Sequence, residues 1–168
     1  FKELCGLNAS VISAVDLIKG IGILAKMEVL DVPGATGYID TNFDGKAQAA
    51  MDAFARGQDL VYVHVEAPDE CGHRGETANK VRAIELIDGK ILGPVRKALE
   101  AQGDYRILVL PDHPTPLAIR THSSEPVPYL IYDSREKHPG VASFTESTAR
   151  AAGNYEPDAS VLMKSLIK

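Results

Sequence analysis

Apolar positions recur along this chain in two rhythms. From Ala9 to Lys26, the residues Val11, Val15, Ile18 and Leu24 fall on one side of a 3.6-residue repeat, which predicts a helix. Glu28 to Val32 (EVLDV) predicts a short strand, closed by the turn residues Pro33 and Gly34. Asp44 to Arg56, rich in Ala and Met, predicts a second helix ended by Gly57. Leu60 to Val65 (LVYVHV) is nearly continuous and β-branched, the pattern of a strand covered on both faces.

Glu76 to Ala101 carries Val81, Ile84, Ile87, Ile91, Val95 and Leu99 at helical spacing, and Gly103 terminates it. Tyr105 to Leu110 (YRILVL) and Val127 to Ile131 (VPYLI) predict two further strands, and Asp158 to Ile167 a terminal helix capped by Asp158. Strands alternating with helices imply right-handed crossovers onto a mainly parallel sheet, with helices on both faces: a three-layer α/β fold. Ligands of such sheets collect beyond the carboxyl ends of the strands.

Composition narrows the picture. The 168 residues fit one domain, 1–168, and 45% hydrophobic residues suffice for a core. No repeat or low-complexity tract divides them. A net charge of −5 argues against a nucleic-acid or anionic-membrane partner. The chain has no run of about 18 apolar residues and no basic-then-apolar leader at FKELCGLNAS. Cys5 and Cys71 form no CxxC pair, which suits a reducing, cytoplasmic setting. The chain begins at Phe1 rather than Met, as a piece of a longer protein or a processed product would.

Chemistry gathers at the predicted strand ends. EAPDECGHRGE follows the strand ending at Val65, with Asp69 and His73 four apart on one side of a helical turn. PDHPTP follows the strand ending at Leu110, with Asp112 and His113 adjacent; His122 precedes the last strand. Taken singly, such an Asp commonly caps a helix and such a His is commonly solvated. The convergence of two carboxylates and three imidazoles on loops of one sheet decides for a divalent-metal site. Oxygen plus imidazole donors suit Mn, Zn, Co or Fe better than Ca or a thiolate site. Cys71 reads as small-residue filler, His64 as a hydrogen-bonded core histidine and His138 as a surface residue.

Gly20 to Ala25 (GIGILA) matches a dinucleotide fingerprint but lacks its context. The next strand begins at Glu28, leaving no room for the helix that must follow the glycines. Close packing or a helix end explains them better, and Gly34 to Gly37 (GATG) reads as a turn.

HVEAPDECGHRGE, then Lys80, Ile84, Glu85, Ile87 and Asp88, then LPDHPTPLAIRTHSSEPVPYLIY closely resemble the cofactor-independent phosphoglycerate mutases, in their archaeal-type branch within the alkaline phosphatase superfamily. ISAVDLIKGIG and VPGATGYIDTNFDGK resemble the same branch. The resemblance implies an alkaline-phosphatase-like fold and two divalent ions, Mn or Zn, with Co, Fe or Mg as alternatives. It implies that Asp69, His73 and His122 hold one ion, that Asp112 and His113 belong to the other, and that Glu66 or Glu70 supports the ligating imidazoles. It further implies a Ser or Thr nucleophile that moves the phosphoryl group of 3-phosphoglycerate to the 2-hydroxyl, in glycolysis or gluconeogenesis.

That nucleophile, an Asp from an early strand and an inserted substrate-binding domain would all precede Phe1. Asn8 stands where the family places a basic, phosphate-binding residue. Two ions want about eight donors, and the chain offers five candidates. The expectation is therefore the C-terminal portion of a phosphotransferase, inactive alone and needing the rest of its own chain. A phosphatase, phosphodiesterase or phosphopentomutase of the same superfamily, or a non-catalytic metal-binding half-domain, are the alternatives.

Overall fold

The computed structural model describes residues 1–136 and 140–167, so His138 lies outside the described residues. They form two compact units: one of Phe1–Ala98 with Thr115–Thr121, the other of Leu99–Pro114 with His122 onward.

After a short helix, α1 (Lys2–Cys5), the first unit is built on a parallel sheet of order β2-β1-β3, comprising β1 (Ala9–Ile12), β2 (Glu28–Leu30) and β3 (Leu60–Val63). In register, Val11 faces Val29 on one side and Tyr62 on the other. The helix expected from Ala9 to Lys26 is thus corrected to a strand followed by a shorter helix, α2 (Asp16–Leu24). As the middle strand, β1 is buried along its whole length. The β-branched Val11 and Ile12 suit that place. Ser13 then accepts a hydrogen bond from the Val15 amide, turning the chain before a helix can begin. The helical stripe through Val11 and Ile18 came from two elements, not one.

Gly22, one of the two glycines of α2, has a packing role. A Cβ there would stand 2.4 Å from Val11 Cγ1, so the helix lies directly on the central strand. After β2 the chain turns through Gly34 in the left-handed region. α3 (Phe43–Ala55) begins where the Asn42 side chain accepts from the Gly45 amide, and buries Phe43, Ala47, Ala50 and Ala53.

β3 is two residues shorter than expected and only half covered, with Tyr62 exposed, because it ends the three-strand order instead of lying inside it. Two helices follow it, α4 (Ala67–Arg74) and α5 (Thr77–Leu86), and the latter continues through a π-helical turn (Ile87–Leu92) into α6 (Gly93–Glu100). Phe43, Ala47, Ala67, Ala83 and Ile91 form the core among them.

The second unit carries β4 (Arg106–Val109) and β5 (Leu130–Asp133), paired antiparallel from Arg106 opposite Asp133 to Val109 opposite Leu130. The mainly parallel sheet expected from the sequence is the three-stranded one, to which the second unit adds this separate antiparallel pair, and the last strand starts at Leu130 rather than Val127. Pro126 and Pro128 supply no amide for a ladder, so pairing starts beyond them. Arg106 donates to Asp133 at 2.5 Å and to the Leu166 carbonyl at 3.2 Å, joining the hairpin to α8 (Ser160–Ile167). The unanticipated α7 (Glu146–Ala152) starts at a Thr145–Thr148 capping box. α8 carries the cap expected from the sequence, the Asp158 carboxylate accepting from the Ser160 amide at 3.0 Å. No described helix is long and apolar enough to cross a membrane.

Candidate metal centre

α4 starts directly beyond β3, with Glu66 at its N-cap and Pro68 in its first turn, where a missing N–H costs nothing. Asp69 is therefore not the cap. It lies in the first turn and His73 in the last, so both side chains leave the same face. Asp69 Oδ2 and His73 Nε2 converge to 3.4 Å, both side chains partly buried.

Their other polar atoms are held from one segment, residues 115–121, which belongs to the same unit. Asp69 Oδ1 accepts from the Thr115 hydroxyl. His73 Nδ1 lies 3.0 Å from the Arg120 carbonyl, so that nitrogen carries the proton and Nε2 is turned toward Asp69. Arg120 adopts a left-handed backbone, φ 54°, uncommon for a residue with a side chain. Lys80 binds the Pro68 carbonyl at 2.9 Å and the Thr115 carbonyl at 3.0 Å, joining the segment to α4. The approach is close enough to require Gly72, where a Cβ would sit 2.7 Å from the Thr115 carbonyl oxygen.

These outer partners escaped the sequence reading, which had nominated Glu66 and Glu70. The His73 ring takes a backbone carbonyl instead, and Glu70 pairs with Arg74 at 3.6 Å. A carbonyl carries no residue signature, and Thr115 stands among prolines with no pattern to mark it. Oxygens of Glu66, Asp69 and Glu70 lie within 4.8 Å of one another at the start of α4, where the helix dipole favours negative charge. Asn8, by contrast, is bound to Asp59 through both its amide and its side chain.

His64 follows β3 and shares a 3.0 Å hydrogen bond with Ser13, while its carbonyl accepts from the fully buried Lys46 at 2.9 Å. Burial lowers the Lys46 ammonium's pKa, against the opposing pull of Glu66. Cys71 is wholly buried, and burial raises its thiol pKa, which suits packing rather than thiolate ligation.

In the second unit, Asp112 and His113 follow β4 with Oδ2 and Nε2 3.5 Å apart. The His113 and His122 rings stand 3.7 Å apart between centroids, and the Ser123 amide binds the Pro114 carbonyl at 3.1 Å. Asp69 is thus brought to His73, Asp112 to His113, and His113 to His122. Carboxylate and imidazole donors, two of them fixed by outer partners, fit a divalent ion of the borderline class.

Residues 1–163 match the family model described as the metalloenzyme superfamily. The chain belongs to that superfamily. Divalent-metal binding is the property this membership carries, and the α/β fold is alkaline-phosphatase-like. The PH0037 protein of Pyrococcus horikoshii superposes with a TM-score of 0.78 at 29% identity, covering 89% of this chain and 44% of that one.

A probable 2,3-bisphosphoglycerate-independent phosphoglycerate mutase of Geobacter sulfurreducens is 48% identical over 99% of this chain. A 2,3-bisphosphoglycerate-independent phosphoglycerate mutase of Methanosarcina acetivorans is 49% identical over the whole of this chain. The chain spans only 42% and 43% of those two relatives.

Proposed function

We propose that this superfamily member is part of a metal-dependent phosphoglycerate mutase, interconverting 3- and 2-phosphoglycerate in cytoplasmic glycolysis or gluconeogenesis. The observation that carries the reading is the Asp69–His73 pair on α4, braced from behind, in a chain nearly half identical to proteins of that name. Asp69, His73 and His122 hold one ion, and Asp112 and His113 contribute to a second. His122 stands two residues beyond Arg120, so connectivity keeps its Cα within about 7 Å of the residue that orients His73.

When bound, paired Mn or Zn ions supply charge neutralisation for the transferring phosphoryl group and a lowered pKa for the nucleophile. The braced carboxylate and imidazole keep their donor atoms aimed before any ion arrives, which limits reorganisation during transfer. The remaining ligands, the Ser or Thr nucleophile and the substrate-recognition residues come from sequence outside these 168 residues. The chain's coverage of 42–43% of its relatives supports that division.

The test is a mutase assay on the full-length protein loaded with Mn. Interconversion that His73→Ala abolishes is the expected result. Hydrolysis of phosphate esters without interconversion would move the assignment to a phosphatase of the same superfamily. The 168-residue polypeptide should bind one Mn or Zn tightly and a second weakly, without turnover; robust turnover would refute an external nucleophile.

A further inference from the structure

We propose that Thr115 is a positioning residue for the Asp69 ligand: its hydroxyl selects which carboxylate oxygen faces the metal. The inference rests on the metal-site reading above and deepens it. A carboxylate turns easily about its last torsion, a broad and nearly two-fold rotation that exchanges its oxygens. The Thr115 hydroxyl ends that equivalence by donating to Oδ1, which leaves Oδ2 on the side of His73 Nε2. Thr115 is 5% exposed, so water competes little for this bond.

Thr115 is itself held in place. Lys80 has three donors on one nitrogen, and spends two on the Pro68 and Thr115 carbonyls. Gly72 gives the segment room to lie against α4. Five residues further on, the same segment aims the Arg120 carbonyl at His73 Nδ1. One strap thus binds the rear atom of each ligand and sets the spacing of the front ones. Outer partners of this kind commonly contribute 10–100-fold to metal affinity.

The experiment titrates Mn into the metal-free full-length protein, by calorimetry, for wild type, Thr115→Val, Thr115→Ser and Asp69→Ala, beside the melting temperature of each metal-free form. Valine keeps the shape and loses the hydroxyl; serine keeps the hydroxyl and loses the methyl. Affinity at this site should fall about 10–100-fold in Thr115→Val and stay within about twofold of wild type in Thr115→Ser. The serine variant should hold its affinity even though its metal-free melting temperature falls.

A purely structural role would instead make affinity follow melting temperature, with both variants weakened alike, and that pattern overturns the proposal. Unchanged affinity in Thr115→Val, with binding lost in Asp69→Ala, also overturns it and leaves the metal site standing. Retention of every Mn equivalent at wild-type affinity in Asp69→Ala removes the metal-site reading itself, and the proposal with it.

Discussion

Lys46 buries its whole side chain beneath the carboxyl ends of β1 and β3, with its ammonium on the His64 carbonyl. Burial lowers its pKa from 10.5 in the folded state, so over the window between the lowered value and 10.5 the unfolded chain binds more protons. Stability from this group therefore rises with pH across that window and is lowest below the folded pKa. Lys46→Met should remove the rise: the melting temperature of wild type relative to the variant increases as pH approaches 10.5, measured by melts at stepped pH. Asp69 and His73 carry a different expectation. Replacing either by Ala in the full-length protein should remove one metal equivalent by elemental analysis, a larger effect than the 10–100-fold typical of an outer partner. The five candidate ligands were legible in the sequence because titratable side chains announce themselves. Arg120 was not, since what it offers His73 is a carbonyl that every residue possesses.

Among elements, the packing of α2 on β1 turns on one missing side chain. Gly22→Ala should force a methyl against Val11 and destabilise the protein by about 1–3 kcal/mol, as overpacking does. Val11→Ala should recover part of that loss in the double variant, read by chemical denaturation. The same contact explains where the sequence misled. α3 was legible within a residue, and the long helical stretch from Thr77 to Glu100 nearly so, because each has a solvent face that keeps its period clear. β1 has no such face. Its four residues are all buried, so their apolar pattern merged with that of α2 and mimicked a single helix. β5 failed differently: Val127 is apolar, but the flanking prolines withhold the amides that strand pairing needs.

At the scale of the molecule, metal and stability are one equilibrium. An ion that binds only the folded state raises its stability by RT ln(1 + [M]/Kd), about 2.7 kcal/mol at a hundred times Kd. Chelator should therefore lower the melting temperature of the full-length protein, Mn should restore it, and Asp69→Ala should blunt the response. Cys71 gives the same equilibrium a clock. It sits between Asp69 and His73 on α4 with no exposed surface, and burial raises its thiol pKa. A thiol reagent reaches it only in the moments when that helix opens, whereas Cys5 is partly accessible throughout. Labelling of the Cys71 peptide, followed by mass spectrometry, thus counts openings of α4. Saturating Mn at a hundred times Kd should slow that count about 100-fold if the ion must leave before the helix opens.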